Sequence, residues 1–304
     1  MKILITGSTG LVGRALVSEL KRAGHTVCRL VRRGTSGEAL RGSEGFDVRW
    51  DPKTGELGAA AVGADAVVNL GGASIAGGRW TAERKKMLRD SRVETTRALV
   101  GALAKMAARP RVLVSASAIG YYGNRGDEVL TEASLAGDDF LSAVAKEWEL
   151  EAAKGEALGI RVVCARFGVI LAKEGGALPQ MARPFRLGVG GKIGSGQQWM
   201  SWVSLEDVVG IVWMVLENGD VRGAVNVVAP EPVRNAEFTA ALAKALHRPA
   251  LFPAPAFALR LMLGEMADAL LLSSQRVVPA KLEKLGYKFA DTNLPSTLER
   301  LFAD

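Results

Sequence analysis

The segment Ser115-Ala116-Ser117-Ala118-Ile119-Gly120-Tyr121-Tyr122-Gly123 sets two hydroxyls and two phenols close together, with glycines flanking the tyrosine pair. Such groups suit hydride chemistry at a carbonyl. A serine hydroxyl orients the oxygen, and a phenol, with an ordinary pKa of about 10, exchanges a proton with it. The preceding run Arg111-Val-Leu-Val-Ser115 reads as a strand. Ser117 then lies just past it, at the carboxyl edge of a sheet, where open α/β folds bind ligands. The plainer alternative is serines closing a strand end and aromatics packing at a cleft margin.

Hydride chemistry calls for a dinucleotide, and the N-terminus supplies the pattern. Gly7-Ser8-Thr9-Gly10-Leu11-Val12-Gly13 follows the apolar strand Lys2–Thr6 and opens a helical run, Leu11–Ala23, that stops at Gly24. One glycine permits the tight turn, another lets the backbone approach a pyrophosphate, and Gly13 lets helix and strand pack closely. The helix N-terminus offers free N–H groups to the phosphates. The second strand, Thr26–Val31, runs into Arg32-Arg33 with no acid before Glu38. An NAD site places a carboxylate there for the ribose 2′-hydroxyl, whereas guanidinium groups pair with the 2′-phosphate of NADP. Leu70-Gly71-Gly72, after the strand Asp65–Leu70, brings the chain past the adenosine side.

The elements that must hold these groups alternate. Further strands are expected at Arg111–Ser115, Ile160–Arg166 and Ala224–Val228, with helices over Thr81–Ala107 and Asp138–Leu158 and a strand–helix unit at Trp202–Leu216. Alternation of this kind predicts an α/β fold, a Rossmann-type doubly wound parallel sheet with helices on both faces and a smaller C-terminal substrate lobe. The expected division is residues 1–170 for dinucleotide binding, completed by strands near 202–228, then 171–304, with 248–304 a C-terminal accessory segment. Phe257–Leu272, the richest apolar stretch, carries Arg260, Glu265 and Asp268. It reads as a buried or cleft-lining helix, with Met262, Met266 and Leu270 as a core stripe.

Composition excludes several classes. Two cysteines, Cys28 and Cys164, both in strands, make no disulfide framework and point to a reducing, cytoplasmic setting. His25 and His247 stand alone, which argues against a metal site. The net charge of +7 raises nucleic acid as a partner. Yet the densest basic cluster, Arg84, Lys85, Lys86, Arg89 and Arg92, is interleaved with Glu83, Asp90 and Glu94 and reads as a solvated helix face. No apolar run is long enough to span a bilayer. A small-molecule substrate and a monomer or homodimer are expected.

Taken together, ITGSTGLVG, VVNLGG, SASAIGYYG and SWVSLEDVV resemble the extended short-chain dehydrogenase/reductases. RWTAERKKMLRDSRVETT, SAIGYYGNRGDEVLTE, PFRLGVGGKIGSGQQWMSWV, NVVAPEPVRNAEFT and QRVVPAKLEKLGYKF narrow the resemblance to their atypical, epimerase-like NADP-dependent branch. The resemblance implies NADP held through Gly7, Thr9, Gly10, Leu11, Val12, Gly13 and Arg32, with Leu70, Gly71, Arg92 and, near the nicotinamide, Val169. It also implies oxidoreduction of a small polar carbonyl or alcohol. Alternatives are a nucleotide-sugar epimerase with tightly held cofactor and a non-catalytic NADP-binding regulatory protein.

Active members of that superfamily carry Tyr-x-x-x-Lys on one helical face. This chain has three tyrosines, and the residues four positions after them are Arg125, Gly126 and Asp291, so the pair is absent. Lys146 occupies the lysine position, and Ser142 stands where the tyrosine belongs. Three readings stay open. Tyr121 or Tyr122 replaces the phenol; another group serves, among Asp127, Glu128, Glu132 and Lys146; or turnover is slight. Gly188–Trp202 resembles the substrate-covering loop of sugar-nucleotide epimerases, with Lys192, Gln197, Gln198, Trp199 and Trp202 as candidate contacts.

Overall fold

In the computed structural model, which describes residues 1–32 and 46–303, strand β1 (Lys2–Thr6) shows why the apolar runs are continuous. Ile3 and Ile5 enter the core on one face, Leu4 enters it on the other, and all three are fully buried. Strands buried on both sides belong to a parallel sheet covered by helices. The chain continues through α1 (Leu11–Arg22), β2 (Thr26–Arg32), β3 (Phe46–Asp51), β4 (Glu56–Leu57), β5 (Ala66–Asn69), α2 (Ala82–Asp90) and α3 (Val93–Ala104). Next come β6 (Val112–Ala118), β7 (Val129–Leu130), α4 (Phe140–Ala153), β8 (Arg161–Phe167), β9 (Val169–Leu171) and α5 (Ala177–Arg186). The remainder is β10 (Trp199–Met200), β11 (Trp202–Ser204), α6 (Leu205–Glu217), β12 (Gly223–Val227), β13 (Val233–Arg234), α7 (Asn235–Ala245), α8 (Ala256–Leu263), α9 (Glu265–Ala267), β14 (Arg276–Val277), α10 (Ala280–Lys284) and α11 (Leu294–Phe302).

The main sheet has the order β12-β8-β6-β5-β1-β2-β3-β4, parallel except for the short β3–β4 pair. Helices α1 and α6 pack on one face through Leu16, Leu20, Val208 and Val212. Helices α3 and α4 cover the other through Leu99, Leu103 and Ala152. A separate core of Leu178, Phe185, Trp202, Phe238, Leu294 and Leu298 fills the second lobe.

Several expected elements are corrected. Thr81–Ala107 is two helices rather than one, because the chain breaks at Ser91–Arg92, where the Ser91 hydroxyl donates to Leu88 O and accepts from Ala73 N. Asp138–Leu158 is the shorter α4 followed by a 3₁₀ segment, Lys154–Leu158. Trp202–Ser204 leaves the main sheet and pairs with β9 instead. Phe257–Leu272 is not one buried helix. Gly264, at φ 62, breaks it, and a π-helical turn, Asp268–Leu272, follows α9. Helix α8 buries none of its side chains; Phe257, Leu261 and Met262 are exposed, so only Met266 of the proposed core stripe is buried. The basic face of α2 is less solvated than its pattern suggests. Lys85 pairs with Glu265, and Arg89 binds Glu147, Asp90 and Glu94.

Both cysteines are buried, and burial pushes the Cys164 thiol up to about 12 and raises that of Cys28. Among the described residues no helix is long and apolar enough to cross a membrane, and no group of His, Cys, Asp and Glu has the arrangement of a metal site.

Candidate active site

A cleft of about 420 Å3 opens at the carboxyl edge of β1, β2 and β5. Its floor is the turn after β1, Thr6 to Gly10, and its walls include Val31, Trp50, Leu70, Gly71 and Thr95. Gly7 is required by geometry: it has φ +66, and a Cβ there would stand 2.6 Å from Leu70 O. At Gly13 a Cβ would lie 2.2 Å from Gly7 O, so only glycine lets α1 sit this close to the turn. No side chain caps α1, which leaves its first N–H groups facing the cleft for an anion. Leu11 packs its side chain against the Gly175–Gly176 turn, and Val12 is half-buried beside it.

The Thr6 hydroxyl ties the cleft together. It donates to Asn69 Oδ1 at 2.7 Å and accepts from the N–H groups of Leu70 and Gly71. Asn69 in turn donates to Thr96 and Ser115. Ser115 therefore braces the sheet rather than facing a substrate. No carboxylate lines this cleft among the described residues. Arg92 lies behind its rim, donating to the carbonyls of Leu88 and Ala73 and stacking over Trp148. Burial lowers its guanidinium to about 10, and no acid pairs with it among the described residues. Arg32 ends β2 opposite Trp50 in the ladder. Arg33 lies outside the described residues.

The second constellation sits on the last residues of β6, β8 and β12, and Ser117 lies within β6, which runs on to Ala118, rather than just past the strand as expected. Ser117, 3% exposed, donates to Glu149 Oε1 at 2.6 Å. Glu149 holds Arg166 through two bonds of 2.7 Å each. Arg166 also donates to the Tyr122 hydroxyl at 2.9 Å, and Tyr122 donates to Asn226 Oδ1 at 2.6 Å. Burial alone would lower the Arg166 guanidinium, but the hydrogen bonds and charge of Glu149 outweigh it and hold it raised. Burial pushes the Tyr122 phenol up, against the opposing pull of Arg166.

Tyr122 is thus a structural residue. Its ring is fully buried and its hydroxyl doubly bonded, so it is withdrawn as a proton donor. Ser142 is buried too, with its hydroxyl on Gly120 O and Asp139 Oδ1. Lys146 projects from the exposed side of α4, while Ser142, Ala145 and Trp148 form the buried side, so it does not join the Ser117 cluster. Tyr121 differs. It occupies the 3₁₀ turn Ile119–Tyr122, half-buried, with the Arg166 guanidinium 3.5 Å from its ring centre and the Tyr122 ring against its edge. Its hydroxyl has no hydrogen-bond partner among the described residues, whereas the third tyrosine, Tyr287, contacts Asp207.

The other candidate donors divide the same way. Asp127 is taken up by Trp199 Nε1 and Arg234, and Glu128 by Arg125. Glu132 accepts from the N–H groups of Asn226 and Lys281.

A third feature is a small cavity reaching from Ile119 to the C-terminal segment, with Val169 and Trp199 on its wall. Of the five candidates in the covering loop, Trp199 alone lines it. Gln198 and Trp202 are buried and tie the loop down, Gln198 through Ile193 O within it and Leu271 O outside it, and Trp202 through Glu231 O. Lys192 and Gln197 are exposed.

Residues 3–228 match the model of the NAD dependent epimerase/dehydratase family. The chain belongs to that family. Residues 254–301 match a second model, described as a domain of unknown function, DUF1731. The epimerase family protein Mb2239 of Mycobacterium bovis is 41% identical over 297 residues, 97% of this chain and 96% of that one. The chloroplastic epimerase family protein SDR39U1 homolog of Arabidopsis thaliana is 39% identical over 291 residues, covering 95% and 83%. The crystal structure of human epimerase family protein SDR39U1 (isoform 2) with NADPH superposes with a TM-score of 0.86 at 33% identity, over 99% of both chains. UDP-glucose 4-epimerase of Thermus thermophilus, in complex with NAD, reaches a TM-score of 0.78 at 18% identity, a likeness of fold alone.

Within this epimerase/dehydratase family member, the ion pair under Tyr121 is what sequence reasoning missed. The signal was present: Arg161 and Arg166 are two charged residues in the otherwise apolar run Ile160–Phe167, and a charge in a buried strand needs a partner, which Arg161 finds in the carbonyls of Val215 and Val221. Nothing in the sequence marked Glu149 as the partner of Arg166.

Proposed function

We propose that this chain is an NADPH-dependent reductase of a small carbonyl compound, working in reverse on the alcohol, with Tyr121 as the proton donor. The observation that carries the reading is the Tyr121 hydroxyl, the one phenol left without a partner among the described residues, set at the carboxyl edge of β6. Support for the cofactor comes from the NADPH held by the human relative and from a cleft without carboxylates beside an uncapped helix. Gly7, Thr9 and Gly10 would cradle the pyrophosphate, and Leu70 and Gly71 would border it, with Arg92 bracing the Ala73 carbonyl behind them. When bound, NADPH supplies the hydride.

The chain supplies the rest. Tyr121 gives its hydroxyl proton to the substrate oxygen as the carbonyl carbon is reduced, and the phenolate oxygen left behind regains one from water. Arg166 holds the ring from below, and Glu149 neutralises Arg166, so no bare cation lies in the site. The test is transfer of deuterium from NADPH labelled at the nicotinamide C4 to a panel of small aldehydes and ketones. The label is expected in the product alcohol; its absence across the panel with cofactor bound would sink the reading.

The end of β2 gives a second expected result. Arg32→Glu should weaken NADPH at least tenfold relative to NADH in fluorescence titrations, because a charge-assisted pair becomes a repulsion. An unchanged ratio removes Arg32 from the 2′-phosphate site.

A further inference from the structure

The small cavity has a volume of about 50 Å3, and none of its lining residues is charged. Ile119, Val169, Leu270 and Leu271 make its apolar wall. Two polar groups on that wall are underused. Ser273 Oγ is buried without a hydrogen-bond partner among the described residues. Asn235, 3% exposed, uses its Oδ1 to accept the Ile193 N–H at 2.8 Å. Its Nδ2 reaches only the Met200 thioether, at 3.4 Å, and a thioether is a weak acceptor. Unmet buried donors are costly, so a cavity wall that carries one unpartnered hydroxyl and one weakly bonded amide N–H is suited to an acceptor.

We infer that this cavity seats one end of the substrate, beyond the carbonyl that is reduced, and that this end is a short, neutral aliphatic group carrying an oxygen that accepts from Ser273 and Asn235. The inference rests on the reductase reading above and names its substrate class. On the scale in which a 150 Å3 cavity holds benzene, about 50 Å3 takes two or three non-hydrogen atoms, so only the polar end of a ligand enters and the rest lies outside. A diphosphate or a carboxylate would find no cation there. A sugar ring exceeds that volume, and the Ser201 and Gln275 side chains on the wall are already bonded to the carbonyls of Val277 and Gly123. Ser273, Leu270 and Leu271 all lie in the segment matched by DUF1731, which gives that segment a role in choosing the substrate.

The test uses isobutyramide, a neutral carbonyl compound that NADPH does not reduce, with butyrate and glucose as comparisons. Binding to the full chain with NADPH present is followed by titration calorimetry or saturation-transfer NMR. Isobutyramide is expected to bind and the other two to bind at least tenfold more weakly. Ser273→Ala, which removes a group with no partner, should weaken isobutyramide roughly three- to tenfold. Ala269→Leu, which adds bulk to the cavity wall, should weaken it more than tenfold, with NADPH affinity unchanged in both variants. Absence of isobutyramide binding, equal binding of butyrate, or indifference to both variants overturns the inference. Because the probe is not turned over, isobutyramide binding with both variant effects but no deuterium transfer would uphold the cavity's ligand class while the reductase reading fails.

Discussion

Tyr121→Phe is expected to lower kcat for carbonyl reduction by about two to four orders of magnitude, the usual worth of a positioned general acid, with the Kd for NADPH changed less than twofold. The split follows from the geometry. The ring contributes packing on Arg166 and against Tyr122, both of which a phenylalanine retains, while the hydroxyl bonds nothing among the described residues. Removing it takes away a proton and little else. Tyr122→Phe is the matching control. That change strips the hydroxyl from Arg166 and Asn226, so it should cost stability, about 1–3 kcal/mol for buried partners left unmet, and leave kcat within a few-fold of the parent. If the two variants exchange these phenotypes, the proton donor has been misassigned; steady-state kinetics beside urea unfolding decides it.

Arg166→Leu should be among the most destabilising single changes in the chain, by about 3–5 kcal/mol in denaturant unfolding. The Arg166 side chain is 4% exposed and that of Glu149 14%, and they share two short bonds. Truncating one partner strands the other's charge where water reaches it poorly. The double variant Arg166→Leu with Glu149→Leu should recover a large part of the loss, since removing both charges removes the desolvation problem. A single variant as stable as the parent would mean that the pair is solvated in solution.

Much of the fold was legible in the sequence because its signals are local. The runs KILIT, AVVN and VLVSASA are apolar on both faces, and Gly7 and Gly13 sit where only glycine fits the backbone. The short strands β3 and β4 escaped notice because Phe46–Asp51 mixes exposed and buried positions at the sheet margin. The candidate site was legible only in part, for a different reason. Residue type shows what a side chain is able to do, not which partner has already claimed it. Tyr121 and Tyr122 are neighbours of identical chemistry, and long-range contacts alone separate them: Tyr122 meets Asn226 across 104 positions. Likewise Gln198 and Trp202 look like ligand contacts in a glycine-rich loop, yet their donors are consumed by the loop and its surroundings. Apolar content misled in the opposite direction at α8, which exposes the side chains that composition would bury.

The contacts around β14 bear on how the molecule melts. Ser201 Oγ bonds Val277 in both directions, Asn226 Nδ2 donates to Val278 O, and Lys281 Nζ reaches the carbonyls of Arg222 and Ala224. Two stretches that match separate family models are therefore stitched edge to edge, with β14 also adding to β7. Cutting the chain between them would not release an autonomous module. It would strip the end of β12 and the Ser201 turn of their partners, and heat should dissolve both stretches in a single cooperative transition.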